Sequence, residues 1–206
     1  MSHRRDDIEI RPLKESEVDS AVDLVAGSMS EIPLFAWLLG AHIDDDEVRR
    51  WLASFFIAPH VARGGVEAAV PPTGPVGGIL IWLTPDRADA PLPPSIQALS
   101  ARILTSRTDI VDRLKTLRAV LADERRPGDY VDVLLSVVAP EFRGIGVPGR
   151  LVMRARTAAA DAGLGITLST TDAALGEAYE RTHGAVLQKA YPIGPLTNYS
   201  YLISPE

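Results

Sequence analysis

Apolar residues recur along this chain with two periods, and the switches between them mark out its elements. Ile8 and Ile10 alternate with Glu9 and Arg11 ahead of Pro12, which predicts a short first strand over residues 8–13. At the helical period, Val18, Ala21, Val22, Leu24 and Val25 share one face behind Ser16, a side chain suited to capping a helix start. A second helical stripe runs through Val48, Trp51, Leu52, Phe55 and Phe56. It follows Asp44-Asp45-Asp46, whose carboxylates suit the positive end of a helix. Residues 65–70 and 76–82 read as two strands joined by the turn Pro71-Pro72-Thr73-Gly74-Pro75. Residues 84–95 are proline-rich and acidic, hence a surface connection. Ile110, Leu114, Leu117 and Leu121 then predict one long helical stretch from about Ser95 to Asp123, stopped by Arg126-Pro127-Gly128.

The most informative stretch comes next. Residues 130–138 are an almost unbroken apolar run, the pattern of a buried strand. A glycine-rich turn, Arg143-Gly144-Ile145-Gly146-Val147-Pro148-Gly149, leads into an apolar-striped helix over 148–162. A strand followed by such a turn at a helix start presents unpaired backbone N–H groups to an anion, usually a phosphate. The rest reads as strand 165–169, helix 173–182 and strands 185–190 and 198–203. Nothing in between reads as a linker or repeat, so the expectation is a single α/β domain over 1–206 with a mixed sheet.

Composition narrows the chemistry. With 46% hydrophobic and 23% charged residues, the chain has the balance of a soluble globular protein. A net charge of −6 disfavours a nucleic-acid partner and suits a cationic small molecule better. The absence of cysteine excludes thiolate nucleophiles and Cys-based zinc sites, and His3, His42, His60 and His183 lie too far apart to suggest a metal site. The charged start Met1-Ser2-His3-Arg4-Arg5-Asp6-Asp7 leads into no apolar signal region, and no stretch approaches the roughly 18 apolar residues of a membrane span. The expected location is cytoplasmic, with no membrane partner. The bias toward Arg, Ala, Gly and Pro suggests a bacterial source.

Three motifs, in order, carry a resemblance. Val138-x-Pro140-Glu141-x-Arg143-Gly144-x-Gly146 closely resembles the acetyl-CoA motif of the GNAT superfamily of N-acetyltransferases. Ile10-Arg11-Pro12 is similar to the family's usual first strand. Asp172-x-x-Leu175-x-x-x-Tyr179-Glu180-x-x-x-Gly184 resembles its late signature, with one extra residue before the glycine. The long helical insert, about 85–128, together with Ile81-Trp82-Leu83-Thr84-Pro85 and Tyr179-Glu180-Arg181, looks most like the puromycin acetyltransferase group. The resemblance implies a mostly antiparallel sheet of about seven strands flanked by helices, with the insert between strands three and four. It also implies acetyl-CoA as cosubstrate, a primary amine as acceptor, no metal, and a possible homodimer.

The resemblance implies roles residue by residue. Arg143, Gly144, Ile145, Gly146, Val147 and Gly149 would surround the pyrophosphate, with the glycines allowing a tight turn and close approach. Val137 and Val138 would bind thioester and pantetheine through their backbones where strand four splays from strand five, and Asp172 would contact the coenzyme. Pro148 departs from the family's Gly or Ala and removes one N–H donor, which points to weaker coenzyme affinity. Tyr179 is placed as the general acid. Asp132 is the candidate base, at the offset where histone acetyltransferases of the superfamily carry a glutamate; a carboxylate in that apolar run is out of place unless it faces a cleft. It competes with the plainer readings of an ion pair or a solvent-facing edge position. Glu31 and Trp37, in the expected loop after the first helix, and Trp82 are candidates for the acceptor pocket, where an acid and an aromatic wall suit a cationic amine. His183, one helical turn after Tyr179, reads as a helix C-terminal residue. The function expected is direct acetyl transfer in a ternary complex, with a coenzyme-sensing or interaction module, or transfer to protein amines, as alternatives.

Overall fold

The computed structural model describes residues 7–86, 91–124 and 126–205. The readings of residues 1–6 and of part of the 84–95 connection fall outside these. One seven-stranded sheet runs through the described chain in the order β1-β2-β3-β4-β5-β7-β6. Its strands are β1 (Glu9–Pro12), β2 (Val66–Val70), β3 (Gly78–Leu83), β4 (Tyr130–Val138), β5 (Gly165–Thr170), β6 (Val186–Ile193) and β7 (Leu196–Ile203). Only β4 and β5 run parallel; every other neighbouring pair is antiparallel. Each expected strand is present, within three residues at its ends.

The helices are α1 (Val18–Ser28), α2 (Pro33–Leu39), α3 (Asp46–Val61), α4 (Pro94–Ser106), α5 (Thr108–Asp123), α6 (Val147–Ala162) and α7 (Ala173–His183). Alternation along the strands assigns them to two layers. Val66, Ala68, Ile79, Ile81 and Val137 point to the core shared with α1–α5. Ala69, Leu80, Trp82, Val131 and Ile166 point to the second core, beneath α6.

Four sequence expectations change. Ser16 caps nothing. A single turn over Glu15–Glu17 precedes α1, and the Glu17 carboxylate accepts the Lys14 N–H (3.1 Å) while pairing with Arg11 (2.7 Å), which ties β1 to the helix start. The expected loop after α1 contains α2, opened by Pro33, whose fixed φ suits a first helical turn. Its seven residues are too few for apolar periodicity to declare. The long 95–123 helix is two helices broken at Arg107, where φ is −131° and the guanidinium turns back to Asp45 (2.8 Å), the N-cap of α3. Finally, β4 is not buried throughout: Asp132, Leu134 and Ser136 are exposed.

The insert formed by α4 and α5 docks on α2 and α3 through buried Ile103 and Ile110 and through the Trp51 indole N–H, which donates to Ser100 Oγ (2.8 Å). No single described helix is long and apolar enough to cross a membrane. A bent pair over 15–42 passes by length and composition, but Ala21, Val22, Val25, Phe35, Leu38 and Leu39 of that pair are buried in the core.

Candidate active site

The exposure of β4 has a geometric cause. Its pairing with β5 covers only Tyr130–Val133 against Gly165–Leu168, and beyond Val133 and Leu168 the two strands separate. Opposite, the β3 register slips between Ile81/Leu135 and Trp82/Val133, leaving Leu134 as a bulge residue that bends β4 away. Ala139 N–H donates to Gly77 O (2.9 Å), so the alternating ladder makes Ile79/Val137 and Ile81/Leu135 the bonded pairs. The backbone groups of Ser136 and Val138 therefore turn toward the gap that β5 has left. An extended, amide-bearing chain could take the place of a strand there.

The turn after β4 lies at the open end of this fork. Phe142, buried, packs over Gly77, where any Cβ would come within 2.7 Å of its ring, and this fixes the turn against the sheet. Gly144 and Gly146 have φ of +78° and +85°, a conformation costly for any other residue. Arg150 N–H is the first to close a helical bond, onto Gly146 O (3.2 Å), so the amides of Val147 and Gly149 have no intrahelical partner. Pro148 sits at the second helical position, where an N–H would be unpaired in any case. Gly144 and Gly146 are exposed, and a Cβ on Gly144 or Gly149 would meet nothing within 4 Å, so the turn leaves room for a ligand over its glycines, while Val147 is buried beneath it. The turn fits a pyrophosphate.

A cavity of about 370 Å³ occupies the fork, lined among others by Val137, Val138, Arg143, Pro148, Asp172 and Tyr179. Tyr179 stands edge-on to Tyr201 (centroids 6.1 Å, planes at 82°), and burial, with help from the Asp172 charge, pushes its phenol up to about 12. It keeps its proton at neutral pH, as a proton donor must. Tyr201 in turn lies against Gly176 of α7, where no side chain would fit. Asp172 lines the cavity, yet its carboxylate is engaged as the N-cap of α7, accepting from Ala174 (2.9 Å) and Leu175 (3.3 Å).

Asp132 lies on the opposite face, between Val131 and Val133, which point into the α6 core. It is exposed and accepts a hydrogen bond from the Thr167 hydroxyl. It lines a second cavity, of about 360 Å³, with Glu124, Asp129, Tyr130, Leu134 and Tyr191. The two cavities share Val133 and Leu168, the last paired residues before the strands part. Asp132 and Tyr179 thus approach the fork from its two faces.

The acceptor-pocket candidates do not hold their expected places. Glu31 lines the first cavity, not the second, and its carboxylate is bound by Arg143 (2.7 Å). Trp82 is buried in the α6 core, because alternation along β3 turns it with Leu80 away from the Asp132 face. Trp37 lines neither cavity; it sits on α2 under the β6–β7 turn, where a Cβ on Gly194 would fall 2.7 Å from its ring. His183 lines the first cavity 6.5 Å from the Tyr179 ring, and burial lowers its pKa. Its spacing from Tyr179 was the one available signal. The Asp129–Tyr130 wall and Glu124, at the foot of the insert, carried no motif.

No family model and no curated protein matches the sequence. Solved structures do. A histone acetyltransferase-related acetyltransferase from Corynebacterium glutamicum superposes with a TM-score of 0.68 at 16% identity, covering 97% of each chain. Arylalkylamine N-acetyltransferase 2 from Aedes aegypti gives 0.64 at 12%, covering 95% of this chain and 97% of its own. The fold is that of the GNAT acetyltransferases. The polyamine N-acetyltransferase of Drosophila melanogaster, which forms N-acetylagmatine, gives 0.59 at 17%, with 96% of this GNAT-fold chain and all of that one covered.

Proposed function

We propose that this GNAT-fold protein transfers the acetyl group of acetyl-CoA to a primary amine of a small molecule, with both substrates bound at once. The observation that carries the reading is the fork. A cleft with free β4 edge amides and an anion-binding turn meets, at Val133 and Leu168, a second cavity bearing carboxylates. The Corynebacterium, mosquito and fly acetyltransferases share the fold, and the latter two are named for amine substrates. The helical insert and Tyr179-Glu180-Arg181 keep the puromycin acetyltransferase group as the subgroup we favour.

In this reading acetyl-CoA supplies the acetyl group and the chain does the rest. The amides of Gly144, Ile145, Gly146 and Gly149 hold the pyrophosphate, and the backbone groups of Ser136 and Val138 align the pantetheine arm, whereas Val137 turns its backbone groups to Ile79 and Val147 is buried. Val138 N–H polarises the carbonyl, as an oxyanion-hole donor. The amine comes from the face of Asp132, which, with Asp129, attracts a cation and takes up its proton, directly or through a water, while Glu124 is engaged by Lys189. Tyr179 holds a proton for the departing sulfur. Asp172 acts by fixing the start of α7, and hence the position of Tyr179. Pro148 costs the turn no donor that the helix would have used, though one fewer amide faces the anion.

A thiol-release assay with acetyl-CoA and a panel of amines (puromycin-like nucleosides, aminoglycosides, polyamines, amino acids, lysine peptides) tests the reading, alongside calorimetry of coenzyme binding. Turnover with a small amine is the expected result. Coenzyme binding without turnover on any amine would favour a sensing module, and no binding would remove the reading altogether.

A further inference from the structure

The Val138 carbonyl, which the ladder turns into the fork, already has an occupant. Arg143 Nε donates to it (3.0 Å), and Nη2 of the same guanidinium donates to Glu31 (2.7 Å). One side chain from the glycine turn and one from the turn Met29–Glu31 after α1 thus bridge the mouth of the cleft. They meet at a backbone acceptor that a pantetheine amide would need.

Resting on the coenzyme-site reading above, we propose that Glu31 is the latch of the coenzyme site. It holds Arg143 over the Val138 carbonyl, so that the fork opens fully only to a thioester carrying an anion able to draw the guanidinium away. Arg143 immediately precedes Gly144, so the anion bound by the turn lies beside the residue it must recruit. A guanidinium binds phosphate bidentately and with charge-assisted strength. The Glu31–Arg143 pair is about half exposed, at 52% and 47%, and such pairs are weak and screened by solvent. A pyrophosphate can outcompete it. A neutral pantetheine arm offers the guanidinium nothing and has to compete with it for the carbonyl. Glu31 is in this view no acceptor-pocket residue; it keeps the latch closed at a cost to every thioester, and the phosphates of full coenzyme A recover that cost through Arg143.

The test is calorimetric titration of coenzyme A and of pantetheine into the wild type, Glu31→Gln, Arg143→Ala and the double variant. Both side chains lie at the surface, so the variants retain the fold. Glu31→Gln is expected to tighten pantetheine binding by about two- to five-fold, the range of an exposed pair. It tightens coenzyme A by at least as much, because a negative charge near the phosphates is also lost. In the Arg143→Ala background, Glu31→Gln leaves pantetheine affinity unchanged. A pantetheine affinity indifferent to Glu31→Gln, or an equal gain with and without Arg143, overturns the proposal and leaves the coenzyme site standing. Failure of every variant to bind coenzyme A overturns both.

Discussion

The phenol of Tyr179 owes its high proton affinity to burial between α7 and β7, and that burial depends on a residue with no side chain. Replacing Tyr179 by Phe removes the proton donor and keeps the ring. We expect kcat to fall about 100-fold or more, with coenzyme affinity from calorimetry unchanged. Because the group stays protonated to about 12, its ionisation should leave no alkaline limb in the wild-type rate profile below pH 10. Gly176→Ala tests the support behind it. The new Cβ would collide with the Tyr201 hydroxyl and lie 2.9 Å from its Cζ. Overpacking of this kind costs about 1–3 kcal/mol, measurable in urea, and displacement of Tyr201 should lower kcat more than coenzyme affinity.

At the scale of elements, the attachment of β1 to α1 is electrostatic and can be titrated. The hydrogen bond from Arg11 holds the Glu17 carboxyl down to about 2 from its ordinary 4.5. A depressed folded-state value contributes stability that is present above about pH 4.5 and is lost as pH falls toward 2. Glu17→Gln should therefore lower stability at pH 7 by roughly 1–3 kcal/mol and flatten the wild type's loss over that acid range. Chemical denaturation at several pH values checks both. The same scale shows where periodicity reads well and where it does not. Of the α3 stripe, Val48, Trp51 and Leu52 are buried and Phe56 partly so, while Phe55 is exposed; a helix longer than four turns repeats its pattern often enough to declare itself, though not to place every member. Helix α2 is too short for that, and at the break Arg107 pairs with Asp45, far away in sequence.

For the whole molecule, the decisive feature is that β4 and β5 pair at one end and part at the other. A ligand that fills the fork stands in for the missing rungs and binds only the folded state. Coenzyme A at 100 times its dissociation constant should stabilise the protein by about 2.7 kcal/mol, raising the melting temperature by roughly 5–10 °C. Pantetheine at the same concentration should do much less. Hydrogen exchange should show the protection gained at Ser136, Val138 and residues 144–149, and an increase spread evenly over the sheet would argue against the fork as the binding site.

By itself the sequence determined the local chemistry: which runs form strands, where the glycines permit positive φ, and which turn exposes amides at a helix start. These follow from side-chain sterics and periodicity over a few residues, and the succession of seven strands along the chain followed from the same signals, whereas the place of β7 between β5 and β6 in the sheet did not. The tertiary structure decided which faces meet. That Asp132 looks onto one cavity while Tyr179 looks onto another, that Trp82 is core, and that Glu31 binds Arg143 depend on sheet register, the Leu134 bulge and contacts between residues up to 112 positions apart. A one-residue slip in a strand turns a side chain from one face to the other, and no local pattern encodes the partner that fixes it.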